Sequence, residues 1–382
     1  MEDVVLAGVG MHPFGRYREK DPADIALEAI TVALKDANMT FKDIQLALCG
    51  TVLLNRPQLG AEILQGVGQT GIPIYDIRAA CATGGAMLRL ARDAISSGSC
   101  DAVLVFGIDK HQGMFQDLGE PWQNTLGMKA SPSAFAMVAQ RYMYEYGATE
   151  EDFARVAVKA HKYGRLNPYA MFRQEFTIEQ VLKSPYVAWP LHLYNFCSPD
   201  DGAAAVVVCS KKIARKHNIS QPVYLAASVM ATADYPSPIL EPSSAYSITT
   251  KKKGRPVVVA AGEQAYKEAG IGPGDIEVVE VQDTESAHEL VHIEQLGLCR
   301  PGEAYHLLRE GTFDITGRLP VNPSGGIQCK GEPPGASGLG QVCEIMWQLR
   351  GQAGPRQVNH PKVGLSQVFG WNHIGGVTIL KK

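Results

Sequence analysis

Ile77-Arg-Ala-Ala-Cys-Ala-Thr-Gly-Gly85 is the stretch on which the fold turns. A short apolar run, Ile72 to Ile77, leads into it. A helical pattern of Ala86, Leu88, Leu90, Ala91, Ala94 and Ile95 leads out. This spacing predicts that a strand passes into a helix at Cys81. Unpaired backbone N–H groups and the macrodipole at a helix N-terminus stabilise a thiolate. The small residues around Cys81 (Ala79, Ala80, Ala82, Gly84 and Gly85) let a substrate or another backbone come close. The same pattern also describes a buried cysteine in a tight turn, since free cysteine is often plain core.

Working outward, Val4 to Val9 reads as a buried strand ending at Gly10. Asp21-Pro22 opens a helix with Ile25, Ala26, Ala29, Ile30, Ala33 and Leu34 on one face. A strand is expected over Asp43 to Cys49, a helix over Leu59 to Val67 and a strand over Ala102 to Phe106. This alternation argues a layered α/β fold. Residues from about 110 to 220 hold more Pro, Tyr and Trp and read mostly as an insertion, with helices over Glu151 to Tyr163 and Thr177 to Leu182. Phe196-Cys-Ser-Pro-Asp-Asp-Gly-Ala-Ala-Ala-Val-Val-Val-Cys209 is a turn feeding a buried strand. A second α/β run starts near Val223 and repeats the first. Ala33-Leu-Lys-Asp-Ala followed by Asp43-Ile44 matches Ala265-Tyr-Lys-Glu-Ala followed by Asp275-Ile276, at an offset of 232. The same order of elements in both halves indicates a duplicated core. The expected division is 1–110 for the first part of an N-terminal half, 111–195 for an inserted loop domain, 196–222 for a return strand and 223–382 for a C-terminal half.

The bulk composition agrees. A chain of 382 residues is long for one core, so two halves are expected. With 45% hydrophobic and 20% charged residues it has soluble globular composition. A net charge of −3 gives no reason to expect nucleic acid or a membrane surface as partner. No apolar run is long enough to span a bilayer, and no basic leader or cleavage site opens the chain. The 8 cysteines form no CxxC pair, so reduced thiols in a cytoplasm are expected, with no structural zinc and no bound metal. Lys251-Lys-Lys-Gly-Arg255 reads as a solvated loop.

Three further stretches stand with Cys81. They are Glu280-Val-Gln-Asp-Thr-Glu285 at a strand end, Asn322-Pro-Ser-Gly-Gly-Ile-Gln-Cys-Lys-Gly-Glu-Pro-Pro-Gly-Ala-Ser-Gly338 before an amphipathic helix, and Asn372-His-Ile-Gly-Gly376 between two strands. These blocks, in this order, resemble the thiolase superfamily, closest to the sterol-carrier-protein-type and bacterial lipid-transfer-type thiolases. Cys197-Ser-Pro-Asp-Asp-Gly-Ala-Ala-Ala205, Asn167-Pro-Tyr-Ala170 and Gln348-Leu-Arg-Gly-Gln-Ala-Gly354 support the resemblance, which covers nearly the whole chain.

The resemblance implies a duplicated five-layered αβαβα core with an inserted loop domain, working as a homodimer. It implies an acyl-CoA substrate and coenzyme A as co-substrate, with no bound cofactor. Cys81 falls on the family's acyl-accepting nucleophile, and its backbone N–H, beside Gly375, on the oxyanion hole. Other positions depart from the family pattern. Glu332 stands where the family has His, His373 where many members have Cys, and Gln282 where it has Asn or His. A protonated Glu332 could donate to a developing enolate; an ionised one could orient His373 as the base; or Glu332 could merely cap the following helix. The expected catalytic set is therefore Cys81, His373 and Glu332, with Gln282, Gly375 and Asn322 in positioning roles. Asp283 reads as supporting. His288 and His292, one helical turn apart, lack a third ligand and read as a helix surface or interface.

The activity implied is thiolysis of a bulky or branched β-ketoacyl-CoA, with an aromatic substrate such as benzoylsuccinyl-CoA compatible. The alternatives are a retro-aldol lyase acting on a steroid side-chain CoA ester, against which Cys81 argues, and a non-catalytic acyl-CoA- or lipid-binding subunit. Relatives of this type imply a small accessory subunit with an OB-fold and a zinc ribbon.

Overall fold

Val4–Met11 (β1) is buried along its whole length, as its unbroken apolar run requires, and lies inside a nine-stranded sheet. The structure, a computed structural model, describes residues 4–68, 70–111, 130–232, 255–370 and 374–382. His373 and most of the Lys251–Arg255 run lie outside the described residues. The other strands are β2 (Leu46–Gly50), β3 (Ile74–Ile77), β4 (Ala102–Asp109), β5 (Tyr186–Ala188), β6 (Leu191–His192), β7 (Gly202–Ser210), β8 (Val223–Thr232), β9 (Val278–Glu280), β10 (Val363–Gly370) and β11 (Ile374–Lys381). β5 and β6 form a separate hairpin; the rest run in the order β3-β2-β4-β7-β1-β8-β11-β10-β9.

That order contains the duplication. Outward from the middle, β1-β7-β4-β2 on one side matches β8-β11-β10-β9 on the other. β2 is parallel to β4, as β9 is to β10. β7 is antiparallel to β4 and β1, as β11 is to β10 and β8. Within the sheet, the halves meet where β1 pairs with β8, Val5 with Tyr224 and Leu6 with Val223. The match extends to the turns. The 3-10 turns Phe41–Asp43 and Pro273–Asp275 stand at the offset of 232. In each, an aspartate accepts a backbone N–H three residues back: Thr40 to Asp43 at 2.9 Å and Gly272 to Asp275 at 2.8 Å. Asp43 therefore ends a turn, and β2 starts at Leu46 rather than at Asp43 as predicted.

Five layers result. Helix Pro22–Asp36 covers the outer face of the first half-sheet and helix Val257–Ala269 that of the second. Between the half-sheets lie helices Thr83–Ser96 and Pro334–Arg350. The second of these is buried at every position but Trp347, so it is a central helix rather than the amphipathic one predicted. Its buried charges are paired: Arg356 meets Glu344 at 2.9 Å. The two central helices touch backbone to backbone, and a Cβ on Gly84 would lie 2.7 Å from the Leu339 nitrogen.

Helices Ala130–Tyr146 and Glu150–Gly164 pack on the C-terminal half. Phe135, Tyr142, Phe153 and Val156 join its hydrophobic cluster. Lys159 reaches across to Glu289 at 2.8 Å and to the Val321 carbonyl at 2.8 Å. This packing roofs the cavity described next.

Candidate active site

β3 ends at Ile77 and helix Thr83–Ser96 starts six residues later, so the connection carrying Cys81 is tight. Ala80 takes a left-handed φ of 47°. Thr83 locks the turn: its Oγ1 accepts the Ala79 N–H at 2.9 Å and donates to the Ala80 carbonyl at 2.6 Å. The Ala82 and Thr83 N–H groups close on the Ala79 and Ala80 carbonyls. Cys81 is left at the helix N-terminus with partial exposure.

Cys81 opens on a cavity of about 110 Å³. Its polar wall is Cys81, Cys197, Gln282, Thr284, His288, His292 and Glu332; Leu53, Phe135, Pro199, Pro334 and Phe369 supply the apolar wall. Glu332 is the hub. Its Oε2 accepts the Cys197 thiol at 2.9 Å. Its Oε1 accepts Gln282 Nε2 at 2.5 Å and the Thr284 hydroxyl at 3.3 Å. The Cys81 side chain lines the same cavity, where the Glu332 charge acts on its thiol. Gln282 Nε2 is an obligatory donor, so Glu332 Oε1 is held as an acceptor, while Oε2 faces the thiol of Cys197. Burial pushes the Glu332 carboxyl above its ordinary value, and its hydrogen bonds oppose that shift.

The thiol is pushed well above its ordinary value, first by burial and then by the negative charge of Glu332. Burial and the Glu332 charge thus work against the thiolate that the helix terminus is expected to favour.

Supporting contacts fix this geometry. Gly331 has a φ of 118°, and a Cβ there would lie 1.7 Å from Asp200 Oδ2, so Glu332 follows a position only glycine fills. Asp109, fully buried, accepts Thr51 Oγ1 at 2.6 Å, the Leu53 N–H at 2.8 Å and the Gly335 N–H at 2.6 Å. It ties the loop before Leu54 to the start of helix Pro334–Arg350.

The other predicted positions separate by role. Gln282 is in the cavity and holds Glu332, while its own backbone N–H donates to Gln367 at 2.9 Å. Asn322, at a left-handed φ of 52°, accepts the Val281 N–H at 2.8 Å and donates to Glu289 at 2.9 Å, so its side chain serves the loop. Gly375 pairs with Phe369 across the β10–β11 ladder, next to the cavity wall. Asp283 accepts the Ile327 N–H at 2.6 Å. His288 and His292 are not on a free helix surface: both are buried against the cavity. Cys197 and Thr284 also enter the site. Cys197 lies inside a motif quoted above, but its distance of 135 positions from Glu332 hides the contact. No cluster of three or more metal-ligating side chains occurs among the described residues.

Comparison with known proteins gives a consistent picture. Residues 4–212 match the family described as "Thiolase, N-terminal domain", and residues 244–382 match "Thiolase C-terminal domain-like". The chain is 35% identical to "Acetyl-CoA acetyltransferase" of Methanothermobacter thermautotrophicus, covering 97% of each. It is 36% identical to "Benzoylsuccinyl-CoA thiolase subunit BbsB" of Thauera aromatica, over 96% of this chain and 94% of that one. Against "Sterol carrier protein 2" of Gallus gallus it is 34% identical, over 99% of this chain and 71% of that one. A solved structure, "Ltp2-ChsH2(DUF35) aldolase", superposes with a TM-score of 0.85 at 26% identity, covering 100% of this chain and 98% of that one.

Proposed function

The chain belongs to the thiolase superfamily and is an acyltransferase, and we propose that it cleaves a β-ketoacyl-CoA with coenzyme A through an acyl group carried on Cys81. The observation that carries this reading is that Cys81, at a helix N-terminus, and the buried Glu332 carboxyl, held by Gln282 and Thr284, line one cavity with an apolar wall. As Sγ bonds to the keto carbon, its proton passes to Glu332. The oxyanion faces the Cys81 backbone N–H at the helix N-terminus and the strand carrying Gly375. Collapse breaks the C–C bond, leaving the acyl group on sulfur, and the departing CoA ester takes up a proton. Coenzyme A then attacks the thioester, and Cys81 recovers its proton from Glu332. Gln282 and Thr284 hold the carboxylate in line.

The apolar wall of Phe135, Phe369, Leu53, Pro199 and Pro334 suits a bulky, branched or aromatic acyl group. The likeness to a benzoylsuccinyl-CoA thiolase subunit supports the aromatic form. Retro-aldol cleavage is the second reading, favoured by the likeness to an aldolase of TM-score 0.85. The pairing in that neighbour, an Ltp2-ChsH2(DUF35) aldolase, also supports a separate accessory subunit here. We propose a homodimer as well: β3 is an edge strand with Tyr75 exposed on it. A reducing, cytoplasmic setting fits the eight free cysteines. Among the described residues no helix is long and apolar enough to cross a membrane.

The test is a panel of aliphatic and aromatic β-ketoacyl-CoAs and β-hydroxyacyl-CoAs, with products identified by mass. CoA-dependent formation of two acyl-CoA products from a β-ketoacyl-CoA supports thiolysis. A free aldehyde or ketone from a β-hydroxyacyl-CoA, with no CoA consumed, replaces it with the aldolase reading.

A further inference from the structure

Helix Ser286–Gln295 brings to the cavity wall an imidazole–carboxylate pair that the Cys81–Glu332 pair does not use. Glu285 is its N-cap. The carboxylate accepts the Ala287 N–H at 2.6 Å and the His288 N–H at 3.0 Å, and it also meets Nδ1 of His288. Glu285 is fully buried and His288 is 4% exposed. A carboxylate holding three donors leaves the Nδ1 hydrogen on the ring, and Nε2 is the nitrogen left for the cavity. His292, one turn on, turns its Nδ1 to the Gln282 carbonyl at 2.8 Å. Burial and the adjacent His288 hold His292 well below its ordinary value, so it stays neutral. The two rings lie 5.1 Å apart, and of the two only His288 meets a carboxylate. Phe135 at 5.3 Å and Phe369 at 6.2 Å fix the His288 ring plane.

Thiolysis needs two proton-handling groups. One takes and returns the Cys81 proton, and Glu332, on the same cavity wall, is placed to do so. The other must protonate the departing CoA ester and later deprotonate the coenzyme A thiol. We propose that His288, oriented by Glu285, is this second acid–base residue. In the first half-reaction the charged ring gives its Nε2 proton to the carbon released when the C–C bond breaks. In the second, neutral Nε2 takes the proton of the CoA thiol as its sulfur bonds to the acyl carbon. The ring thus ends the cycle as it began, as does Glu332. This assignment rests on the acyl-transfer reading above.

The test separates the two proton acceptors. Exchange of labelled CoA into acetyl-CoA and benzoyl-CoA requires the CoA thiol to lose its proton; alkylation of Cys81 by iodoacetamide does not. His288→Ala is expected to slow exchange about 10²–10⁴-fold, the usual weight of a general acid–base group. It is expected to leave the alkylation rate within about two-fold, because Glu285 holds the His288 Nδ1 and Glu332 lines the cavity with Cys81 in both proteins. Added imidazole should restore part of the exchange by entering the space left at the wall. His288→Asn should also lose exchange, without opening that space for rescue. Exchange that is unchanged in His288→Ala, or that falls together with alkylation and resists imidazole, overturns the role of His288. If the wild type exchanges neither ester, the acyl-transfer reading fails, and the role of His288 with it.

Discussion

Replacing Glu332 with Gln keeps the shape of the side chain and removes its charge, and the structure gives the two consequences opposite signs. In the wild type the carboxylate accepts from Cys197, Gln282 and Thr284 and lines the cavity with Cys81. Gln keeps one accepting oxygen, and its NH₂ group meets donors. It cannot take the Cys81 proton, so acyl transfer should fall about 10²–10⁴-fold, or ~3–5.5 kcal/mol in activation free energy. The resting thiol should respond the other way. Burial is the main cause of the raised Cys81 value and the Glu332 charge the second. Removing the charge brings the thiol part of the way down, so more thiolate is present at a given pH. Iodoacetamide alkylation at pH 7.5, followed by intact mass, should therefore be faster in Glu332→Gln while turnover is slower. A parallel fall in both would mean that Glu332 generates a resting thiolate, contrary to the geometry. No change in either would leave Glu332 as a structural anchor for Gln282 and Thr284 with no part in proton transfer; its carboxyl does not cap the helix that follows, as that alternative expected.

Other perturbations read other parts of the molecule. Cys81→Ala should bind acyl-CoA with little change and lose acyl transfer; full activity in this variant would contradict a sulfur-bound intermediate. Asp200 is fully buried, and burial followed by the Glu332 charge raises it well above its ordinary value of 3.8, against the opposing effect of the Glu332 backbone N–H. The folded chain then keeps a proton that the unfolded chain releases above pH ~4, so this group costs stability as pH rises from there through its folded value. Asp200→Asn should raise the melting temperature at pH 7.5 more than at pH 5, and an equal gain at both would refute the linkage. Gly84→Ala places a Cβ 2.7 Å from the Leu339 nitrogen, so the two central helices must separate. A loss of ~1–3 kcal/mol in urea unfolding is expected, typical of overpacked cores; an unchanged midpoint would show that the crossing can give.

The parts of the fold visible in the sequence were those set by local chemistry. The offset of 232 appears because both copies of the turn need an aspartate to cap a backbone N–H, at Asp43 and Asp275. The Cys81 turn was legible because a strand-to-helix switch leaves its mark in periodicity. Burial was not legible. The helix terminus at Cys81 suggested a thiolate, but burial and the Glu332 charge work against it. The i, i+4 spacing of His288 and His292 could be seen, but not that Phe135 and the inserted helices cover that face. Asp109 reaches Gly335 over 226 positions, a contact no local pattern records. His373, expected as the base, lies outside the described residues.

The central claim is that an acyl group rides on Cys81. Its most direct measurement is rapid mixing of the protein with acetoacetyl-CoA and an aromatic β-ketoacyl-CoA, acid quench, and peptide mass mapping. A mass increase equal to the acyl group is expected on the peptide containing Cys81, absent in Cys81→Ala and released when free CoA is added. Turnover of the same ester with no adduct on that peptide, or an adduct that CoA does not release, would contradict it.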